Sequence, residues 1–112
     1  MSQIHQELIS FIDELSSTMR QLNLWAEQPP EEYCFESTAP FCADTMAFEQ
    51  WLQFVFIPRL QILAEQQGTL PAPANILPMA EQVFKLDYET KKPLLLLMAY
   101  FDRLSKRLVN VK

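Results

Sequence analysis

The chain has 112 residues, 49% of them hydrophobic, and a formal net charge of −5. That length supports one domain with one core and needs no metal or disulfide staple. A single glycine, Gly68, stands against eight prolines, which excludes the glycine-rich phosphate loops of nucleotide-binding domains and disfavours hairpin-rich β folds.

The charge is unevenly spread. Residues 1–32 carry six acidic side chains against Arg20 alone, whereas residues 71–112 carry seven basic against four acidic. Phosphate recognition needs a concentrated cationic face, and only the last segment approaches one. The start, MSQIHQELIS, lacks the basic-then-apolar pattern of a secretory signal. The longest apolar run, Leu94–Phe101, is shorter than the roughly 20 residues that cross a bilayer. Cys34 and Cys42, without a secretory context, are expected to be reduced thiols in the cytoplasm.

From Gln3 to about Trp25, apolar residues recur at Ile4, Leu8, Phe11, Leu15, Met19 and Leu22. These steps of three and four predict an amphipathic helix, with Ser2 as N-cap and Pro29-Pro30 as its stop. Residues 28–44 read as a long loop whose Tyr33, Phe35 and Phe41 are expected to lid the bundle.

Asp44 or Thr45 is the predicted cap of a second helix that runs toward Gly68. Its polar residues change sides midway: Glu49, Gln50 and Gln53 share one face, whereas Arg59, Gln61, Glu65 and Gln66 cluster nearly opposite. A kink or break at Pro58 is the economical explanation, with Arg59 bonding carbonyls that the bend frees.

A proline-punctuated connector, 69–77, leads to a short helix from Pro78 to about Leu86. A last helix is predicted over Lys91–Val109, capped by Thr90, with Leu94, Leu97, Met98, Phe101, Leu104 and Leu108 inward. Asp102 and Lys106 are spaced as an exposed i,i+4 ion pair. The expected fold is all-α: one domain over 1–112, an antiparallel bundle of about four helices.

Catalytic chemistry finds little purchase. The one histidine, His5, lies at the chain start, where a solvated side chain is expected, and two cysteines do not make a zinc ligand set. Asp44 and Glu49 are close in sequence, but capping accounts for Asp44. No catalytic residue, cofactor or metal is assigned.

The unusual segment is Ala39–Leu60, which joins a Pro-Phe entry, an Asp-Thr step, a tryptophan and a Pro-Arg bend. Pro40, Phe41, Asp44, Thr45, Met46, Trp51, Leu52, Gln53, Ile57, Pro58 and Arg59 resemble the signature of the YqcC-like family of small gammaproteobacterial proteins. The resemblance implies a small helical bundle without established activity. It also implies an association with the gene for tRNA pseudouridine synthase C, although the chain carries none of that enzyme's catalytic domain.

The leading functional expectation is a non-enzymatic cytoplasmic interaction module. It would bind a protein partner, or a second copy as a homodimer, through Phe41, Asp44, Trp51 and Arg59, since aromatic residues and arginine dominate interfaces. One alternative is an accessory to tRNA modification using Lys91, Lys92, Arg103, Lys106 and Arg107. The other is a small molecule held in an apolar cavity of the bundle core.

Overall fold

The computed structural model describes residues 2–109, and the described part is built from helices and turns. Helix α1 spans Gln3–Gln21. Ser2 caps it, its hydroxyl accepting from the His5 amide at 3.4 Å. The helix stops before the expected Trp25. Asn23 adopts a left-handed conformation (φ 61°), its amide bonds the Arg20 carbonyl, and the Leu24 amide reaches back to Met19 at 2.8 Å. This paired closure satisfies the last carbonyls, so the helix ends by capping, ahead of the prolines. Trp25 folds back under the Arg20 guanidinium, 4.3 Å from the ring centre.

The loop that follows holds two 3₁₀ turns, Glu32–Glu36 and Pro40–Cys42. Its anchor is Gln53, which the helical periodicity placed on a polar face. Instead it is buried, and its amide group both accepts from the Ala26 amide and donates to the Ala26 carbonyl, each at 2.8 Å. Asp44 and Thr45 are not helix caps. Asp44 accepts from the Ser37 hydroxyl, and Thr45 donates to the Cys34 carbonyl at 2.7 Å. The cap position belongs to Ala47, whose amide is satisfied by the Gln50 side chain at 2.8 Å.

The second helical rod has three parts: α2 (Phe48–Trp51), a π-helical segment (Leu52–Phe56) and α3 (Ile57–Glu65). The irregularity expected at Pro58 lies one turn earlier and does not break the rod. Ile57 donates its amide to the Leu52 carbonyl, five residues back. Widening the turn before a proline eases the clash between its ring and the preceding carbonyl. It also inserts an extra residue, which resets the inward face by about 100°. Phe48, Leu52, Phe56, Leu60 and Ala64 are therefore all buried, although their four-residue spacing would drift round a regular helix.

Gly68 closes α3 differently from the expectation. Gln67 takes the left-handed position (φ 48°), while the Gly68 amide bonds Leu63 at 2.9 Å. A methyl group on Gly68 would stand 3.0 Å from Leu63 Cδ1. The Gly68 carbonyl accepts from His5 Nε2 at 2.8 Å. His5 is thus no solvated terminal side chain: it is 1% exposed, with its other ring nitrogen on the Ser2 hydroxyl. The carbonyl can only accept, so Nε2 carries a proton.

Helix α4 spans Leu77–Val83 with Pro78 in its first turn, followed by a 3₁₀ turn, Lys85–Asp87. Helix α5 runs over Tyr88–Val109, two residues before the expected cap at Thr90, with Pro93 in its early turns. Asp102, expected beside Lys106 in solvent, turns both carboxylate oxygens to the Ile76 and Leu77 amides at 2.8 and 2.9 Å. A residue of α5 thereby caps α4. Next to it, buried Ser105 accepts from the Ala74 amide at 2.8 Å.

α1 and α5 lie antiparallel, with Glu7 bound to Arg107 and Phe11 against Tyr100 and Phe101. The predicted stripes of both helices are buried except for Leu22 and Leu97, which are partly exposed. Phe11, Phe56 and Phe101 fill the middle of the bundle with edge and tilted contacts at 4.9–6.4 Å, in the place where a small-molecule cavity was one expectation.

Candidate functional site

The structure divides the four sequence-derived candidates. Phe41 and Trp51 meet edge-on with centroids 4.9 Å apart, and Trp51 stacks on Phe56 at 5.1 Å. Both are half-buried, and they fasten the loop to the second rod. Tyr33 and Phe35, expected to share in this lid, are instead exposed, because the loop rests on the rod through Phe41 and the buried Cys34 and Cys42. Trp51 also packs against a smaller cluster of Cys34, Cys42, Met46 and Val55. The price of this lid is backbone strain, since Phe41 and Cys42 are both left-handed (φ 61° and 50°), a conformation unfavourable for side chains of this bulk.

Asp44 and Arg59 are exposed. Arg59 bonds no freed carbonyl. It lies on the lip of a shallow groove of about 260 Å³ between loop and rod, with Phe35, Ser37, Cys42, Phe54 and Ile62. Phe41 and Trp51 do not line that groove, whereas Asp44 adjoins it through its bond to Ser37.

A larger groove, about 850 Å³, lies between α1 and α5. Its two walls differ in chemistry. The α1 wall presents Gln3, Gln6, Glu7, Ser10, Glu14 and Thr18; the α5 wall presents Pro93, Leu96, Leu97 and Tyr100; Phe11 forms part of the floor. Leu96 is 61% exposed. It stands in the run Leu94–Leu97, and four successive helical residues sweep about 300°, so one leucine must point away from the core. That geometric signal is present in the sequence.

Glu7, in the α1 wall, is held in a bidentate ion pair, Arg107 donating to both Glu7 oxygens at 3.0 and 2.8 Å. The hydrogen bond to Arg107 holds the Glu7 carboxyl below its ordinary value of 4.5, and the same bond raises the Arg107 guanidinium. At the far end of α5, Lys91 pairs with Asp87 at 2.6 Å. At least two of the five cations expected to form a phosphate-binding face are thus engaged within the chain. Glu14, in the middle of the α1 wall, is exposed and carries no such pair among the described residues.

Among the described residues, no cluster of histidine, cysteine and carboxylate side chains could hold a metal ion. No helix among them is long and apolar enough to cross a membrane.

Comparison with known proteins places the chain. It is similar to an uncharacterized protein of Haemophilus influenzae, 47% identical over 74 residues that cover 66% of this chain and 70% of that one. It is 29% identical over 100 residues to the uncharacterized protein YqcC of Escherichia coli, covering 89% and 92% of the two chains. The solution structure of E. coli YqcC superposes with a TM-score of 0.87 at 26% identity, over 99% of this chain and 95% of that one. A protein of Pectobacterium carotovorum called tRNA pseudouridine synthase C is 42% identical over 71 residues, but these are only 19% of its length. None of these similarities shows a specific function or a catalytic family for the chain. The family DUF446, described as tRNA pseudouridine synthase C, matches residues 7–104, and the chain belongs to this YqcC-like family.

Proposed function

We propose that the chain is a non-enzymatic, cytoplasmic protein-interaction module that docks a tRNA-modifying enzyme through the groove between α1 and α5. The observation that carries this reading is the groove itself: a concave strip with one apolar wall and an exposed leucine, on the two longest helices of the molecule. Exposed apolar side chains gathered in a concavity are what partner surfaces supply. The choice of partner is supported by the Pectobacterium relative, in which a segment like this chain occupies about a fifth of a protein called tRNA pseudouridine synthase C. Tethering two modules in one chain raises their effective concentration, and a pair joined covalently in one organism is a natural pair for non-covalent docking in another.

The accessory role in tRNA modification is therefore proposed in its protein-docking form. With Arg107 and Lys91 already paired, direct capture of tRNA by α5 has less to work with. The test is light scattering on mixtures of the chain with the pseudouridine synthase of the same organism, with and without tRNA. A defined complex is expected without tRNA and is expected to be lost in Leu96→Asp. No complex at tens of micromolar, the working range of weak specific interfaces, would sink the reading.

A further inference from the structure

The two walls of the α1–α5 groove specify more than a generic apolar contact, and we infer that its occupant is a cationic amphipathic helix supplied by the partner. This rests on the reading of the groove as a docking surface and adds the chemistry of what docks. From Gln3 to Thr18 the α1 wall runs about 22 Å at the rise of an α-helix, so it matches an occupant helix of about four turns. The α5 wall offers Leu96, Leu97 and Tyr100, suited to an apolar stripe of i, i+3, i+4 spacing. The opposite wall is polar, and both charged residues that line the groove, Glu7 and Glu14, are acidic. Glu7 is neutralised by Arg107, which leaves the Glu14 carboxylate to be met by a lysine or arginine. A helix with an apolar stripe flanked by cations satisfies both walls at once. A purely apolar helix leaves the α1 wall unmatched.

The experiment uses the full chain and two synthetic helices of about 16 residues with the same leucine stripe. One carries lysines on its polar face, the other glutamates. Binding is followed by calorimetry at low and high salt. The lysine helix is expected to bind and the glutamate helix to bind at least tenfold more weakly. Glu14→Gln is expected to weaken the lysine helix about threefold at low salt, with the difference closing at high salt. Leu96→Asp separates docking from general attraction to an acidic protein. It adds negative charge, so diffuse attraction would strengthen binding, whereas loss of the apolar wall is expected to weaken it about tenfold. Equal binding of both helices, binding that Leu96→Asp leaves intact or strengthens, or no binding of either helix overturns the inference. If neither helix binds while the synthase complex forms and is lost in Leu96→Asp, the groove remains a docking surface and its occupant is of another kind. If the lysine helix binds in the groove but no synthase complex forms, the occupant chemistry stands and the choice of partner falls.

Discussion

Asp102 shows how one side chain can join two helices. Its carboxylate holds the Ile76 and Leu77 amides at the start of α4, where unpaired amides would otherwise be left without partners. Asp102→Ala should therefore destabilise the fold by about 1–2 kcal/mol, read from the urea midpoint, whereas Asp44→Ala, at an exposed residue that caps no helix, should cost less. The Glu7–Arg107 pair gives a pH signature with a definite sign. A carboxylate whose folded pKa lies below its unfolded value adds stability above the unfolded value and loses it as pH falls through the folded one. Wild type should exceed Arg107→Gln in stability at neutral pH, and the two curves should converge below about pH 4.5, the ordinary value for Glu7. Parallel curves down to acid pH would contradict a contribution from the charged pair. These polar roles were illegible in the sequence for a common reason: the partner of His5 is 63 residues away, that of Gln53 is 27, and that of Asp102 is 26 or 25. Local spacing suggests an exposed polar side chain in each case, and tertiary packing decides otherwise.

At the scale of elements, apolar periodicity was a reliable guide. The inner residues of the α1 and α5 stripes are legible in the spacing, as is the irregularity of the second rod, whereas of the expected aromatic lid only Phe41 packs inward. What spacing could not tell is how the rod absorbs its irregularity. Five buried residues at four-residue intervals, Phe48 to Ala64, demand a reset of phase, and the π segment provides it. If the stripe rather than Pro58 holds the π turn, Pro58→Ala should keep the Ile57-to-Leu52 bond and change stability by less than about 1 kcal/mol. Amide exchange and chemical shifts across Leu52–Phe56 check this, and a regular α-helix there would assign the segment to the proline instead. Trp51→Ala removes contacts to Phe41, Phe48 and Phe56. It should cost about 2–4 kcal/mol, somewhat below a fully buried aromatic, and should expose Cys34 and Cys42 to thiol reagents as the lid loosens.

For the whole molecule, composition correctly limited the answer to an all-helical fold, because a chain with one glycine and helical spacing throughout has few alternatives. The candidate site was less legible. The unusual Ala39–Leu60 segment drew attention to Phe41 and Trp51, whose rings turn out to secure the lid, while the larger concavity forms where two segments nearly a hundred residues apart run antiparallel. A surface assembled from Glu7, Phe11 and Glu14 on one helix and Leu96 and Tyr100 on another has no local signature beyond an outward leucine. Leu96→Asp is the direct probe of its role, since the side chain is already 61% exposed and the fold should tolerate the change within about 0.5 kcal/mol. The decisive measurement is the affinity of wild type and Leu96→Asp for the tRNA pseudouridine synthase of the same organism. A wild-type complex weakened at least tenfold by the substitution, with the urea midpoint unchanged, is the expected result; equal affinity of the two, or no complex with wild type, would contradict the assignment of the α1–α5 groove as the working surface.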